Sequence, residues 1–302
     1  MIKKRKSLGS FWNQPRHAAY LFLLPSLLIL LIFSVIPLLG TFALSLSNIN
    51  IFFKNTQFIG LDNFVRFLSD SRAINSLWHS LKFTLLQTPS QIILGLVIAA
   101  LLAKNTLFNK FCRSVLYIPV LCSFASIGII WKIILDSNIG VVPYFLSQLG
   151  LDRINLLRDP NLVMPTIAGI TSLRSFGITM VILIAALQNV SPALYEAAEM
   201  DGATKVQQFV HITVPQVFPS LGFCILTSFV NSMQVFDQVF VSTGGGPNFK
   251  TETAIMYIYS RGFDAPFELG YASAVSTIFF VIIATLSILL NVYTNRKEDA
   301  LR

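Results

Sequence analysis

Long apolar runs alternate with short polar joints along this chain. Six runs, near Ala19–Leu46, Ser80–Ala103, Val115–Leu135, Leu162–Leu187, Val217–Val241 and Ala272–Val292, stand out. Each is long enough to cross about 30 Å of hydrocarbon as a helix. Backbone inside lipid has to satisfy its own hydrogen bonds, so helices are the expected form. The pattern predicts an all-α membrane protein with six transmembrane helices spanning 19–293. A short arm (1–18) precedes them and a short tail (294–302) follows. The first run is too long for the apolar core of a signal peptide and is read as a retained helix, bent near Pro25 and Pro37. Between Phe52 and Ser76 the pattern changes to a short amphipathic piece, "LDNFVRFLSD". Phe64 and Phe67 there are candidates for the membrane surface or for packing on the bundle.

Composition agrees with lipid as the main solvent. Of 302 residues, 54% are hydrophobic and only 12% charged, about half the charged share of a soluble domain. The net charge of +8 is dispersed and lacks any nucleic-acid motif. It is better read through the positive-inside bias. Lys3, Lys4, Arg5, Lys6 and Arg16 precede the first span; Lys104, Lys110 and Arg113 follow the second; Lys205 follows the fourth; Arg296, Lys297 and Arg302 follow the sixth. The opposite side carries fewer bases, mixed with acids in longer loops: Lys54, Arg66, Arg72, Arg153, Arg158, Lys250 and Arg261. Both termini are therefore expected in the cytoplasm of a multi-pass plasma-membrane protein. Cys112, Cys122 and Cys224 are odd in number and lack metal-ligand spacing. His17, His79 and His211 are too scattered for a metal site, so no metal is expected.

One cytoplasmic joint is unusual. "NVSPALYEAAEMDGATKVQQF" has a candidate N-cap at Ser191, a proline suited to a first helical position at Pro192, and a helix stop at Gly202. Leu194, Ala197, Ala198 and Asp201 fall on one face at helical spacing. Small alanines permit close approach of another backbone, Tyr195 and Met200 offer contact area, and Glu196 and Glu199 offer charge. A solvated amphipathic loop and a docking helix both fit.

The stretch Glu196-Ala197-Ala198, Gly202, Ile212 and Val214-Pro215 resembles the EAA loop of binding-protein-dependent ABC importer permeases, EAA-x3-G-x9-I-x-L-P, with valine in place of the usual leucine. "GLDNFVRFLSD" and "STGGGPNFKTETAIMYIYSRGF" resemble the carbohydrate-uptake branch, which includes maltose, glycerol-3-phosphate and multiple-sugar permeases. The resemblance covers nearly the whole chain. It implies a type I, maltose-permease-like fold and a subunit forming half of a pore in a bacterial or archaeal inner membrane. It implies a second homologous permease, two copies of a cytosolic ABC ATPase and an extracytoplasmic sugar-binding protein as partners. The coupling loop is 190–216, and the residues expected to contact the ATPase are Tyr195, Glu196, Ala197, Ala198, Met200, Asp201 and Gly202.

No P-loop occurs in the chain, so ATP and its magnesium belong to the partner ATPase and no cofactor is expected here. No catalytic constellation appears either, so the chain is not expected to be an enzyme. The glycine-rich "TGGGP" lacks the lysine and helix of a phosphate cradle and reads as a tight external loop; the resemblance implies binding-protein docking at Gly244, Gly245, Gly246 and Pro247.

Span five carries a stripe of Ser228, Asn231 and Ser232 that ends at Val235. Polar groups at membrane depth face a cavity or a partner helix. A hydroxyl and amide stripe beside Phe229 and Phe236 suits a sugar, and the resemblance places the sugar contacts at Ser228, Asn231, Ser232 and Val235. In span four Arg174 meets either a ligand or an acid such as Asp237, and the resemblance brings in Ser175 and Ile178. Lys132 and Asp136 are spaced for an ion pair. An ion-coupled secondary carrier using Asp237 is the alternative function.

Overall fold

The structure is a computed structural model that describes residues 15–52, 56–150 and 155–301. Most of the expected N-terminal arm, together with Lys54, Arg153 and Arg302, lies outside the described residues. Among the described residues four helices are long and apolar enough to cross a membrane, and up to six spans result if each of two sharply bent helix pairs counts as one. The all-α membrane architecture expected from the apolar runs is present.

The chain divides into two compact units, residues 1–66 with 261–277 and residues 67–260 with 278–302. In the first unit, α1 (Pro15–Leu30) and α2 (Ile36–Ser45) are joined by a π-helical turn, Leu31–Val35. Pro37 sits in the first turn of α2. It has no N–H to give, and the wider turn directly before it accommodates the missing bond. Two-residue strands, β1 (Ser47–Asn48) and β2 (Gln57–Phe58), pair antiparallel with Ser47 opposite Phe58. Asn63 at the start of α3 (Asp62–Ser69) donates to the carbonyls of Ser45 and Ser47 at 2.9 and 3.1 Å. Arg66 forms a bidentate pair with Glu268 at 2.8 and 2.9 Å and lies over the Tyr271 ring. Of the two readings open for α3, packing holds for Phe67, which is buried; Phe64 is half-buried, while Leu61, Val65 and Leu68 are exposed. Four-residue spacing puts Phe67 on the same face as buried Asn63.

The second unit holds the remaining bundle. The long α4 (Ser71–Leu102) packs along α8 (Val163–Gln188), and α12 (Phe218–Met233) packs on α4. Glycine sets the closeness of the first contact. A Cβ on Gly95 would lie 2.6 Å from Thr179 Cγ2, so only a side chain of hydrogen fits. Between these helices the third expected span is not one helix. α5 (Leu107–Leu121) and α6 (Phe124–Ile134) meet at 97°. Pro119 cannot continue the hydrogen-bond ladder, and Ser123 caps α6 by accepting from the Ser126 N–H. A short α7 (Val141–Gln148) follows.

The polar joint after α8 folds into α9 (Pro192–Met200) and α10 (Lys205–Gln208), a π-helical turn at Phe209–Thr213, and α11 (Val214–Gln216). The chain bends 71° on entering α12. The fifth expected span, read through to Val241 as one helix, ends instead at Met233. Gln234, Val235 and Phe236 are non-helical before α13 (Asp237–Thr243). α14 (Ala254–Phe263) and α15 (Leu269–Leu301) complete the chain, so the expected tail from 294 continues as helix.

Candidate functional site

A set of polar residues on α4, α8 and α12 is buried between the helices. Gln87 Nε2 donates to Gln91 Oε1 at 2.6 Å, and Gln91 Nε2 donates to Thr179 Oγ1 at 3.1 Å. The Ser228 hydroxyl donates to Gln91 Oε1 at 3.1 Å. The Ser232 hydroxyl meets Gln87 Oε1, lies 2.7 Å from the Ser228 carbonyl and 3.2 Å from Thr88 Oγ1. Ser172 ties the Gln87 carbonyl to α8 at 3.1 Å. Three helices are thus joined by one buried network. Unpaired amides in an apolar interior are costly, and pairing them across helices removes that cost and fixes their positions.

This network forms one wall of a cavity of about 480 Å³. Arg174, Ser175, Ile178, Ser228, Asn231, Ser232 and Val235 all line it. The structure therefore brings together every residue that sequence and resemblance assigned to ligand contact, although their exposures differ. Asn231 and Ile178 are exposed; Ser175, Ser228, Ser232 and Val235 are buried. Phe83, Phe124, Phe223 and Phe236 supply apolar faces. Gln87, Gln91 and Thr179 also line the space; sequence reasoning left them unassigned. The signal was present in "LQTPSQ", where two amides four residues apart interrupt an apolar run.

Arg174 does not pair with Asp237. Its Nη2 donates to the carbonyls of Val120 and Cys122 at 3.0 and 2.9 Å, its Nε reaches the Cys122 carbonyl at 3.3 Å, and its guanidinium lies 3.8 Å from the Phe124 ring centroid. The α5–α6 break leaves those carbonyls without helical donors, and Arg174 supplies them. Gly177, one turn further, lets α8 approach α5; a Cβ there would lie 2.8 Å from Val120 Cγ2. The break and its clamp are one construction.

At the far end of α12 from Asp237, helices α9 and α10 form an exposed elbow. Gly202 turns it in the left-handed region, with φ of 77°. The Gly202 N–H donates to the Glu199 carbonyl at 3.1 Å and the Ala203 N–H to the Ala198 carbonyl at 2.9 Å, the paired bonds of a glycine-terminated helix. Ser191 is the N-cap residue by position but makes no side-chain capping bond. Thr204 and Gln207 cap α10 reciprocally. Lys205 pairs with Glu199 and, by hydrogen bond and charge, holds that carboxyl below its ordinary range. The Tyr195 hydroxyl lies 3.0 Å from Thr213 Oγ1, tying the elbow back to the chain entering α12. Outward, Met200 is 89% exposed, and Glu196, Ala197 and Asp201 are exposed too.

At the opposite end of α12 the glycine-rich loop is held from within. Gly244 and Gly245 take φ of 59° and 84°. Thr251 Oγ1 donates to the Gly246 carbonyl at 2.7 Å and lies 2.8 Å from Thr243 Oγ1. Gly244 is exposed, Gly245 buried, and Gly246 and Pro247 half-buried. The expected Lys132–Asp136 pair is not made. Asp136 Oδ1 accepts instead from the N–H groups of Asn138 and Ile139 at 2.9 and 3.3 Å, closing a local turn.

Residues 91–299 match the family described as binding-protein-dependent transport system inner membrane component. This chain belongs to that family. It is a permease subunit of an ATP-driven importer rather than an enzyme, and ATP hydrolysis resides on a separate subunit. The assignment decides against the ion-coupled carrier. The chain is 31% identical to the probable ABC transporter permease protein YurN of Bacillus subtilis, over 95% of this chain and 99% of that protein. It is 29% identical to the trehalose/maltose transport system permease protein MalF of Thermococcus litoralis, over 89% of this chain and 90% of that protein. Among solved structures, a chain of a bacterial alginate ABC transporter, in complex with alginate pentasaccharide-bound periplasmic protein, superposes with a TM-score of 0.81 at 25% identity. That match covers 95% of this permease and 98% of the alginate chain.

Proposed function

We propose that this permease forms half of a sugar translocation path with a second, homologous permease. The ligand occupies the cavity between α4, α8 and α12. The elbow at 190–216 receives a cytosolic ABC ATPase, one copy on each permease, and an extracytoplasmic binding protein docks around Gly244–Pro247. Both termini are cytoplasmic. ATP closes the ATPase dimer, the elbows move as levers, and the cavity turns outward; hydrolysis and release reverse the motion.

One observation carries this reading. Seven residues chosen from two distant spans line a single cavity, and the helix that supplies three of them, Ser228, Asn231 and Ser232, follows directly on the elbow. Hydroxyls, amides and aromatic faces together are the chemistry that recognises a sugar. The likeness to permeases whose names specify trehalose/maltose and to an alginate importer supports the ligand class.

The test uses the assembled importer with Cys112, Cys122 and Cys224 replaced and Asn231→Cys introduced. A bulky thiol reagent is expected to stop uptake, and transported sugar is expected to slow the modification. Full uptake after complete modification would remove the cavity from the path.

A further inference from the structure

The described bases expected on the external side, taken together with Lys82 and Lys132, separate into two groups. Arg66 and Arg261 lie against Glu268, and Arg72 lies against Glu252 at 2.6 and 2.8 Å. Lys82, Lys132, Arg158 and Lys250 make no ion pair among the described residues. These four are not scattered. They line two cavities that flank the glycine-rich loop.

The first cavity, about 550 Å³, is walled by Lys82, Lys250, Trp78 and Asn161 together with the Arg72–Glu252 pair. Glu252 is buried, and both its oxygens are engaged by Arg72. Phe249 covers Arg72, with 3.9 Å between guanidinium and ring centroid. Asn248 and Phe249 are consecutive non-glycine residues in the left-handed region, φ of 49° and 59°. Such backbone is strained and persists where its surroundings hold it. The second cavity, about 490 Å³, is lined by Lys132, Arg158, Asp136 and the loop residues Thr243, Gly244, Gly246 and Pro247. Among the described residues Asp136 is the one acid in its lining, and one of its oxygens accepts the two local N–H groups.

We infer that the face around Gly244–Pro247 is an electropositive docking surface with two sockets for acidic side chains, and that its occupant is the binding protein. The inference rests on the proposed function, which supplies that partner; the sockets and their charge come from the side chains. Continuity with the glycine-rich loop favours a protein over a lipid headgroup, because the loop is a wall of the second cavity and leads straight into Asn248–Lys250 of the first. Charges at the rim of an interface act mainly on the encounter rate and on salt dependence, and they weaken beyond a Debye length.

The experiment uses the assembled importer in phosphatidylcholine nanodiscs and the binding protein that supports its uptake. Docking is measured at several salt concentrations for the wild type, for Lys82→Glu with Lys250→Glu, for Lys132→Glu with Arg158→Glu, and for the matching glutamine pairs. Each glutamate pair is expected to weaken docking about tenfold at low salt, largely through slower association, and each glutamine pair about threefold. At about 0.5 M salt the variants are expected to converge on the wild type. Docking of every variant within twofold of wild type at low salt would overturn the inference while leaving the proposed function intact. So would docking that is unchanged in the variants yet altered by adding phosphatidylglycerol to the nanodisc, which would mark the sockets as lipid sites. Failure of the wild-type importer to bind any binding protein would instead defeat the proposed function itself.

Discussion

The cavity wall and the elbow contain polar and apolar residues in opposite settings. In the wall, Gln87, Gln91, Ser228 and Ser232 sit among apolar helices, and each finds a partner on a neighbouring helix. In the elbow, Met200, Val206 and Val210 stand exposed on a polar, solvated segment. The wall is satisfied within the chain. The elbow satisfies its own backbone through Gly202, Thr204 and Gln207 but leaves its apolar surface uncovered. A polar residue in lipid is therefore weak evidence for a ligand until its partners are known. An apolar residue on a polar loop is better evidence for an outside partner.

That contrast can be broken in four ways. The largest effect is expected at Gly95, where α4 and α8 meet behind the wall. Gly95→Leu forces the helices apart and should cost about 3 kcal/mol or more, seen as loss of monodisperse permease in detergent. Gly202→Leu comes next. No atom lies within 4 Å of a Cβ there, so the cost is backbone strain of about 1–2 kcal/mol in the elbow alone. Membrane insertion and thermal stability of the bundle should survive, while co-purification with the ATPase falls at least tenfold. Gln91→Leu removes contacts to Gln87, Thr179 and Ser228 and should lower stability by about 1–2 kcal/mol, read as a thermal shift, with ATPase association unchanged.

The smallest effect is Glu199→Gln. Pairing with Lys205 lowers the carboxyl pKa, so its contribution is complete above the ordinary carboxylate range and is lost only as pH falls through the lowered value. Near neutral pH the wild-type elbow should be insensitive to pH. The variant should show slightly faster amide exchange at Lys205–Gln208. A large change near neutrality would contradict the assignment.

The elbow was legible from its sequence because its signals are local. A proline at the helix start, a glycine at the turn and the spacing to Pro215 fix its shape within one or two turns of helix. The spans were legible as apolar runs, but the two breaks were not. Hydropathy continues unchanged through "IPVLCSFASIG", yet the helix stops at Leu121 and restarts at Phe124. The break stands because Arg174, more than fifty residues away, supplies donors to its carbonyls. The same distance explains why Arg174 read as a candidate partner for Asp237: its hydrogen-bond partners are backbone carbonyls, which side-chain identity cannot announce, while it also lines the cavity. At Gln234–Phe236 the unwinding likewise depends on a remote residue, as Thr253 Oγ1 donates to the Val235 carbonyl at 2.9 Å. Membership of the cavity was legible through Ser228, Asn231 and Ser232, but the amides of α4 that hold two of them were not connected to it.

The central claim is that the exposed elbow couples this permease to a separate ATPase. Cysteines placed at Ala197 and Met200 in the cysteine-free permease, crosslinked in membranes and identified by mass spectrometry, test it most directly. The coupling reading predicts that both positions capture a nucleotide-hydrolysing subunit, with a yield that changes when ATP is added. Crosslinks that never include an ATPase, from an importer still active in uptake, would contradict it.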